Sequence, residues 1–398
     1  MKLLERNCSV CASKEFVEML NQKYQSIVGL GDIEYTQKIV TCKSCGFTYN
    51  NPAPSPEALA EYYGAFSNYE NPQRGGRESE AMLNKWQRTY DLIEKRFAPK
   101  FKGNVLEIGC ATGTGLSLFK SRGWNVLGIE PSPKAVKLAR ELYDIEVING
   151  LFDPKVISDR SPFDVIILSH VVEHLLSPEI LIRELVPLLN ENGLVYIEVP
   201  NLIRPFVPMG YFMFEHLNYF TPTTLSSLME LNGFHVELKL FDNSVEIEPF
   251  YPVIGAFGRK SARKLSYIKN DFEAACAAVE GYKKTSGKEV SKLKSKLDFI
   301  RKSTKPGRLG IWGGGLHTSL LLSVTNLPIE SIACIFENDP KKHGRHVKGI
   351  EIIGLRKPED VAKLVDAIVI SSKASEDEIF NQINFLEEFG IKVYKLYS

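Results

Sequence analysis

The chain has 398 residues, 44% hydrophobic and 24% charged, and its 49 Lys and Arg against 48 Asp and Glu leave a net charge of +1. This length predicts two or three domains with sizeable cores, and the charge balance supplies no global field for nucleic acid or an anionic membrane. With no apolar run near the roughly 18 residues of a bilayer span and no apolar signal segment after Met1, a cytoplasmic protein without membrane or nucleic-acid partners is expected.

Four of the seven cysteines form two C-x-x-C pairs, Cys8 with Cys11 and Cys42 with Cys45, about thirty residues apart. In a reducing compartment that spacing reads as four thiolates around one ion rather than as disulfides, and zinc is the ion expected. Gly46 permits the tight turn of the second knuckle. Four protein ligands leave no open position for water, so the metal is expected to staple residues 1–75 rather than to catalyse. Asn51-Pro52-Ala53-Pro54-Ser55-Pro56 fits neither a helix nor a central strand.

From about 80 to 240, strands near 104–108, 125–129, 145–148, 163–169 and 194–199 alternate with helical segments, the rhythm of a doubly wound parallel sheet. The first strand runs into Gly109-Cys110-Ala111-Thr112-Gly113-Thr114-Gly115, a glycine turn opening a helix, where Gly109, Gly113 and Gly115 are expected to let backbone approach a ligand. Glu130 ends the next strand, placed to accept hydrogen bonds from two ribose hydroxyls. The dinucleotide pattern would need glycine where Ala111 stands. Glu107, just before the turn, would repel a pyrophosphate and attract an ammonium group. An amino-acid-bearing nucleoside, S-adenosylmethionine, satisfies both conditions. Asn149, Gly150, Leu151 and Phe152, after the third strand, are placed to meet its adenine.

The fourth strand leads into His170-Val171-Val172-Glu173-His174, where His170 and His174 would share a helical face lining the cofactor cleft. A metal set of His170, Glu173 and His174 lacks a further ligand. Residues 201–224 are rich in proline and aromatics and follow a strand end, where a substrate-facing loop belongs. His216 in this loop reads either as a base, beside Glu215, or as a histidine packed among Phe214, Tyr219 and Phe220. Residues 259–305 carry 14 Lys and Arg against 5 Asp and Glu, with apolar residues at helical intervals, and predict one or two amphipathic connecting helices with a solvated basic face. From 306 a second, smaller α/β unit begins, with Leu309–Trp312 as a strand, Gly313-Gly314-Gly315 as a turn and later strands at 367–372 and 392–394. Its turn amides, with Ser371 and Ser372, could cradle a phosphate; the alternative is a docking domain that binds nothing.

The ordered motifs Glu107-x-Gly109-x-x-x-Gly113-x-Gly115, Glu130 and Phe163 to Leu175 resemble those of class I methyltransferases over residues 80 to 240. The whole arrangement resembles the nucleotide-sugar C-methyltransferases, which combine a four-cysteine zinc module, a Rossmann-like methyltransferase domain and a smaller Rossmann-like C-terminal domain. The corresponding divisions here are 1–75, 76–250, 251–305 as a helical connector, and 306–398. The resemblance implies S-adenosylmethionine, structural zinc and a nucleotide-linked sugar as acceptor. Glu215-His216-Leu217-Asn218-Tyr219-Phe220 looks like that family's active-site motif, whose histidine would deprotonate carbon next to a keto group. The family's tyrosine three positions earlier is Met213 here, with Tyr211 nearby as a third catalytic candidate. Two further departures are Glu246 to Phe250, in place of a His-Gly-Gly-Ser type segment, and the C-terminal turn Trp312 to His317. An O- or N-methyltransferase of a small secondary metabolite and a non-catalytic cofactor-binding scaffold are the competing readings.

Overall fold

Runs such as Val105-Leu106 and Val165-Ile166-Ile167-Leu168 have no polar side to turn toward water, and each becomes a strand buried on both faces. The computed structural model describes all residues except 28–29, 31–32, 67–74, 99, 206–208, 243–251, 263–264, 266 and 374. The departure noted at Glu246 to Phe250 therefore lies outside the described residues.

The largest sheet has seven strands, in the spatial order Phe234–Phe241, Val253–Lys260, Leu189–Pro200, Phe163–Ser169, Asn104–Ile108, Asn125–Glu130 and Val147–Asn149. The last five run parallel. Chain order reverses between Asn104–Ile108 and Phe163–Ser169, so a crevice opens there at the strands' carboxyl ends.

The far edge differs from the sequence reading. Val253–Lys260 was expected to begin the helical connector, yet it is a strand antiparallel to both neighbours. Its first six residues, Val-Ile-Gly-Ala-Phe-Gly, are all buried, a load that a solvated connector could not carry. The short connection from Phe241 also favours an antiparallel return over a crossover. The connector proper is one 31-residue helix, Phe272–Lys302, with Ala275, Val279, Leu293, Leu297 and Ile300 buried on one side.

The cysteine pairs flank an antiparallel sheet of Phe16–Tyr24, Tyr35–Cys42 and Thr48–Asn50. A fourth strand, Asn218–Tyr219, joins it from the aromatic loop, pairing Asn218 with Tyr49 and Tyr219 with Thr48. The loop that carries His216 is thus anchored in the sheet of the cysteine module.

The C-terminal sheet runs His346–Val347, Ile350–Ile353, Ile332–Phe336, Leu309–Trp312, Ala367–Ile370 and Lys392–Lys395, parallel except for the hairpin at its edge. Both α/β units are therefore mixed sheets of the doubly wound type. Among the described residues no helix is long and apolar enough to cross a membrane.

Candidate active site

At the end of Asn104–Ile108 the chain turns at Gly109, whose φ is +75° and whose N–H donates to Ile129 O at 2.8 Å. A Cβ on Gly109 would come within 2.7 Å of Val171 Cγ2, so only glycine lets the turn close on the fourth strand's exit. Gly113, at φ +79°, caps the helix Thr114–Ser121. Added Cβ atoms at Gly113 and Gly115 would meet Ala139 and the Trp86 ring at 3.1 and 2.8 Å. These two glycines make room for protein neighbours on the far side of the helix rather than for a ligand.

Glu130 is buried at the tip of Asn125–Glu130 and binds the turn directly. Its Oε2 accepts the Ala111 N–H at 3.0 Å and its Oε1 the Ser132 N–H at 2.8 Å. Glu107 is 1% exposed, and its Oε2 has no hydrogen-bond partner among the described residues. Burial, only partly opposed by Lys85, pushes its carboxyl up to about 8. An orphaned buried carboxylate beside a glycine turn is the group an ammonium-bearing nucleoside would complete, so these residues fit the expected cofactor. Asn149 is exposed at the end of its strand, its Nδ2 donating back to Glu130 O and Pro131 O. Leu151 is 79% exposed beside the open Gly150, while Phe152 packs partly against the core.

His170 follows the fourth strand at φ +57°, and the next turn, Val172–His174, is a 3-10 turn. The shared α-helical face expected for His170 and His174 does not form, because the left-handed residue breaks the helix before it begins. His170 instead lies between two carboxylates, with Nδ1 3.0 Å from Glu173 Oε1 and Nε2 3.5 Å from Glu198 Oε1. Burial and Lys85 lower its proton affinity, but the two carboxylates outweigh them and raise its pKa above the ordinary histidine value. Glu198 also pairs with Lys85 at 2.8 Å and Arg88 at 3.0 Å and accepts from Tyr196 OH at 2.7 Å. For Glu173, burial raises the pKa, and His170 more than offsets it, bringing it down to about 2.

The aromatic loop docks on this turn. Leu217 N–H donates to Glu173 O at 2.8 Å, and Asn218 Nδ2 donates to Val172 O and Leu175 O at 3.1 and 2.7 Å. His174 Nδ1 lies 3.1 Å from Glu215 O and 2.9 Å from Tyr63 OH. The His216 ring then stands edge-on to His174, centroids 4.8 Å apart. Burial, followed by the neighbouring His174, lowers the His216 pKa to about 3. The Glu215 carboxylate points elsewhere, accepting from Tyr62 OH. Tyr211 is buried in a ring cluster with Phe212, Tyr219 and Tyr282, and burial first, then the nearby Glu173 carboxylate, raise its phenol pKa.

The four cysteine sulfurs lie within 4.8 Å of one another, with Cys8 and Cys45 at 3.5 Å and Cys11 and Cys42 at 3.4 Å. Both knuckles end on a left-handed residue, Ala12 at φ +60° and Gly46 at φ +79°. This is a donor set suited to one tetrahedral ion.

Sequence reasoning missed the residues that support the site from a distance: Lys85, Arg88 and Tyr196 around Glu198, and Tyr62 and Tyr63 behind the loop. Glu198 carried a readable signal, a lone charge inside the apolar run Val195-Tyr196-Ile197-Glu198-Val199. Tyr62 and Tyr63 carried none.

Residues 80–239 match the family described as "Methyltransferase domain". The chain is similar to a probable S-adenosylmethionine-dependent methyltransferase of Mycolicibacterium smegmatis, 28% identical over 160 residues, 39% of this chain and 61% of that protein. It is also similar to the C-methyltransferase NovU of Streptomyces niveus, 22% identical over 58% of this chain and 56% of that one. A solved S-adenosylmethionine-dependent methyltransferase from Archaeoglobus fulgidus aligns at 23% identity over 49% of this chain and 100% of that chain, with a TM-score of 0.38. The chain thus spans little more than half the length of these two curated relatives, and its match to the methyltransferase-domain family is confined to residues 80–239.

Proposed function

We propose that the protein is an S-adenosylmethionine-dependent methyltransferase whose acceptor is a nucleotide-linked sugar, methylated on carbon beside a keto group with His216 as the base. The observation that carries this reading is the docking of the His216 loop onto Glu173 and His174, two residues after Val171, against which the Gly109 turn closes. Cofactor turn and candidate base are thereby brought to one strand end.

The bound cofactor supplies an electrophilic methyl group. Glu107 would hold its ammonium group, Glu130 its ribose hydroxyls, and Leu151 with Phe152 would cover its adenine. His216 takes the proton from the acceptor carbon, which leaves that carbon with the electron pair that receives the methyl group. The Glu173 carboxylate faces the imidazolium so formed. Packing between Tyr219 and His174 aligns His216, which is the main demand of an in-line displacement.

Support for a nucleotide comes from the second glycine turn. Gly313-Gly314-Gly315 opens the helix Leu316–Thr325; the Gly313 and Gly314 N–H groups donate to Phe336 O and Glu337 Oε2, so a phosphate would take the amides of the helix start that follows them. A curated relative that bears the name C-methyltransferase supports carbon as the methylated atom. In this reading the four cysteines hold structural zinc in a module over 1–75. The methyltransferase unit runs from 76 through the strand ending at Lys260, a helical connector follows to 305, and the nucleotide-binding unit is 306–398.

Calorimetric titration of S-adenosylhomocysteine-loaded protein with a panel of nucleoside diphosphates tests the acceptor. Selective binding of one is expected. No binding of any, with the cofactor product demonstrably bound, overturns the nucleotide-sugar reading.

A further inference from the structure

We propose that Glu173, His174 and His216 form a second metal site, separate from the cysteine cluster, that takes one divalent transition-metal cation. It is argued from geometry alone, independently of the acceptor named above.

One donor atom from each of the three residues lies within 4.8 Å of the others. A cation about 2.1 Å from each donor sets the donors about 3.4 Å apart. Closing the group therefore takes side-chain shifts on the order of 1 Å. Two imidazoles and one carboxylate suit a borderline cation such as Zn2+ or Co2+ better than Mg2+ or Ca2+. Three protein donors leave a further position for water or an oxygen of the acceptor.

The second observation is the orphaned oxygen. Glu173 is 1% exposed, and its Oε2 has no hydrogen-bond partner among the described residues. A carboxylate oxygen left bare in a protein interior is costly unless something cationic completes it. Its other oxygen, Oε1, is held by His170 Nδ1 at 3.0 Å.

The surrounding bonds are those a metal ligand needs. His174 Nδ1 is engaged by Tyr63 OH at 2.9 Å and Glu215 O at 3.1 Å, and in the tautomer that donates to the carbonyl Nε2 keeps its lone pair for a cation. Histidines that bind metal are commonly oriented in this way through the opposite nitrogen. His170 plays the matching part for Glu173, and the Leu217 N–H to Glu173 O bond holds His216 at a fixed station beside both.

The cation and the acceptor proton would compete for the His216 ring. A cation in this site therefore switches off a base at His216, and methyl transfer that depends on that base becomes zinc-inhibited and chelator-restored.

Cobalt titration of the full chain tests the site. Four-thiolate cobalt shows an intense near-ultraviolet charge-transfer band together with visible bands of its own, whereas a nitrogen and oxygen set adds visible absorbance without the charge-transfer band, so the second site is read as the visible increment that follows saturation of the charge-transfer band. The expected result is a second visible increment that saturates one equivalent beyond the charge-transfer band and disappears in Glu173→Gln and His216→Ala. His170→Ala, which frees Glu173 Oε1, should weaken cobalt affinity about 10-fold. Binding of S-adenosylhomocysteine by each variant certifies its fold; if Glu173→Gln fails that check, His216→Ala and His170→Ala carry the result. Absence of that second increment in the parent protein, or its survival in His216→Ala, overturns the site. Either outcome leaves the nucleoside diphosphate titration untouched, so failure here is distinct from failure of the acceptor reading.

Discussion

The two glycine turns are built on one backbone plan and lined with different chemistry. Gly109 N–H donates to Ile129 O at 2.8 Å, and Gly313 N–H donates to Phe336 O at 2.8 Å. The next residue in each second strand's path is a glutamate. Glu130 accepts from Ala111 N and Ser132 N, and Glu337 accepts from Gly314 N and Asp339 N. Beyond that the turns part. Around the first lie charges, with Glu107 buried and Glu198 holding Lys85 and Arg88. The second is closed by hydroxyls, Thr318 Oγ1 meeting Ser371 Oγ at 2.5 Å and Ser371 Oγ donating to Trp312 O at 2.9 Å, and Glu337 is itself paired with Lys342 at 3.0 Å. A strand, a turn and a following acid make a generic cradle. The charge beside it decides whether the cradle suits a cationic or an anionic ligand.

That contrast breaks first at Glu198. Glu198→Ala takes the buried carboxylate away from Lys85 and Arg88 and should cost about 3–5 kcal/mol, whereas Ser371→Ala, which removes neutral hydrogen bonds, should cost about 1 kcal/mol; thermal and urea unfolding measure both. Next comes closure of the turns. Gly109→Val should weaken S-adenosylhomocysteine binding about 100-fold or more, since strain at positive φ adds to the clash with Val171. Gly313→Val, whose Cβ would meet Ser371 Oγ at 2.9 Å, should leave that binding intact and remove any nucleoside diphosphate binding.

Glu107 supplies a pH signature. Its pKa in the folded protein, about 8, lies above the ordinary 4.5, so between those values the folded chain keeps a proton that the unfolded chain has lost. Stability must then fall as pH rises through that window, by about 2 kcal/mol from pH 6 to pH 8. Glu107→Gln should flatten this slope, and S-adenosylhomocysteine should raise the melting temperature of the parent more at pH 8 than at pH 6. The smallest effect separates the two acids. Glu130→Ala should reduce cofactor affinity about 10-fold, and Glu337→Ala should leave it unchanged, both read by calorimetry.

Much of this was legible in the sequence where the signal is local. Apolar runs located the strands at 104–108, 125–130 and 163–169, and the glycine turn with Glu130 marked the strand ends where the crevice opens. The boundary at 251 misled because the excess of Lys and Arg that follows marks a solvated helix, while the six buried residues from Val253 are too short a run to outweigh it. The glycines at 113 and 115 were legible as glycines but not as packing devices, since Ala139 and Trp86 approach them from other helices. The contacts around His216 were hidden for the same reason. Tyr63, Glu173 and His216 are far apart in the chain, and nothing in the residues near Tyr63 announces a partner 111 positions away at His174.

The pairing of Thr48–Asn50 with Asn218–Tyr219 has a consequence for how the chain is made. During synthesis the sheet around the cysteines is translated early and waits with an open edge for its last strand, some 170 residues downstream. At ordinary translation rates that wait is on the order of 10–30 s. For that interval the nascent chain displays an unpaired strand edge, a template for wrong partners. The same delay means that the Gly109 turn, complete by residue 130, exists well before the His216 loop arrives to dock beside it. Arrival of the late strand closes the edge and anchors the His216 loop in one event.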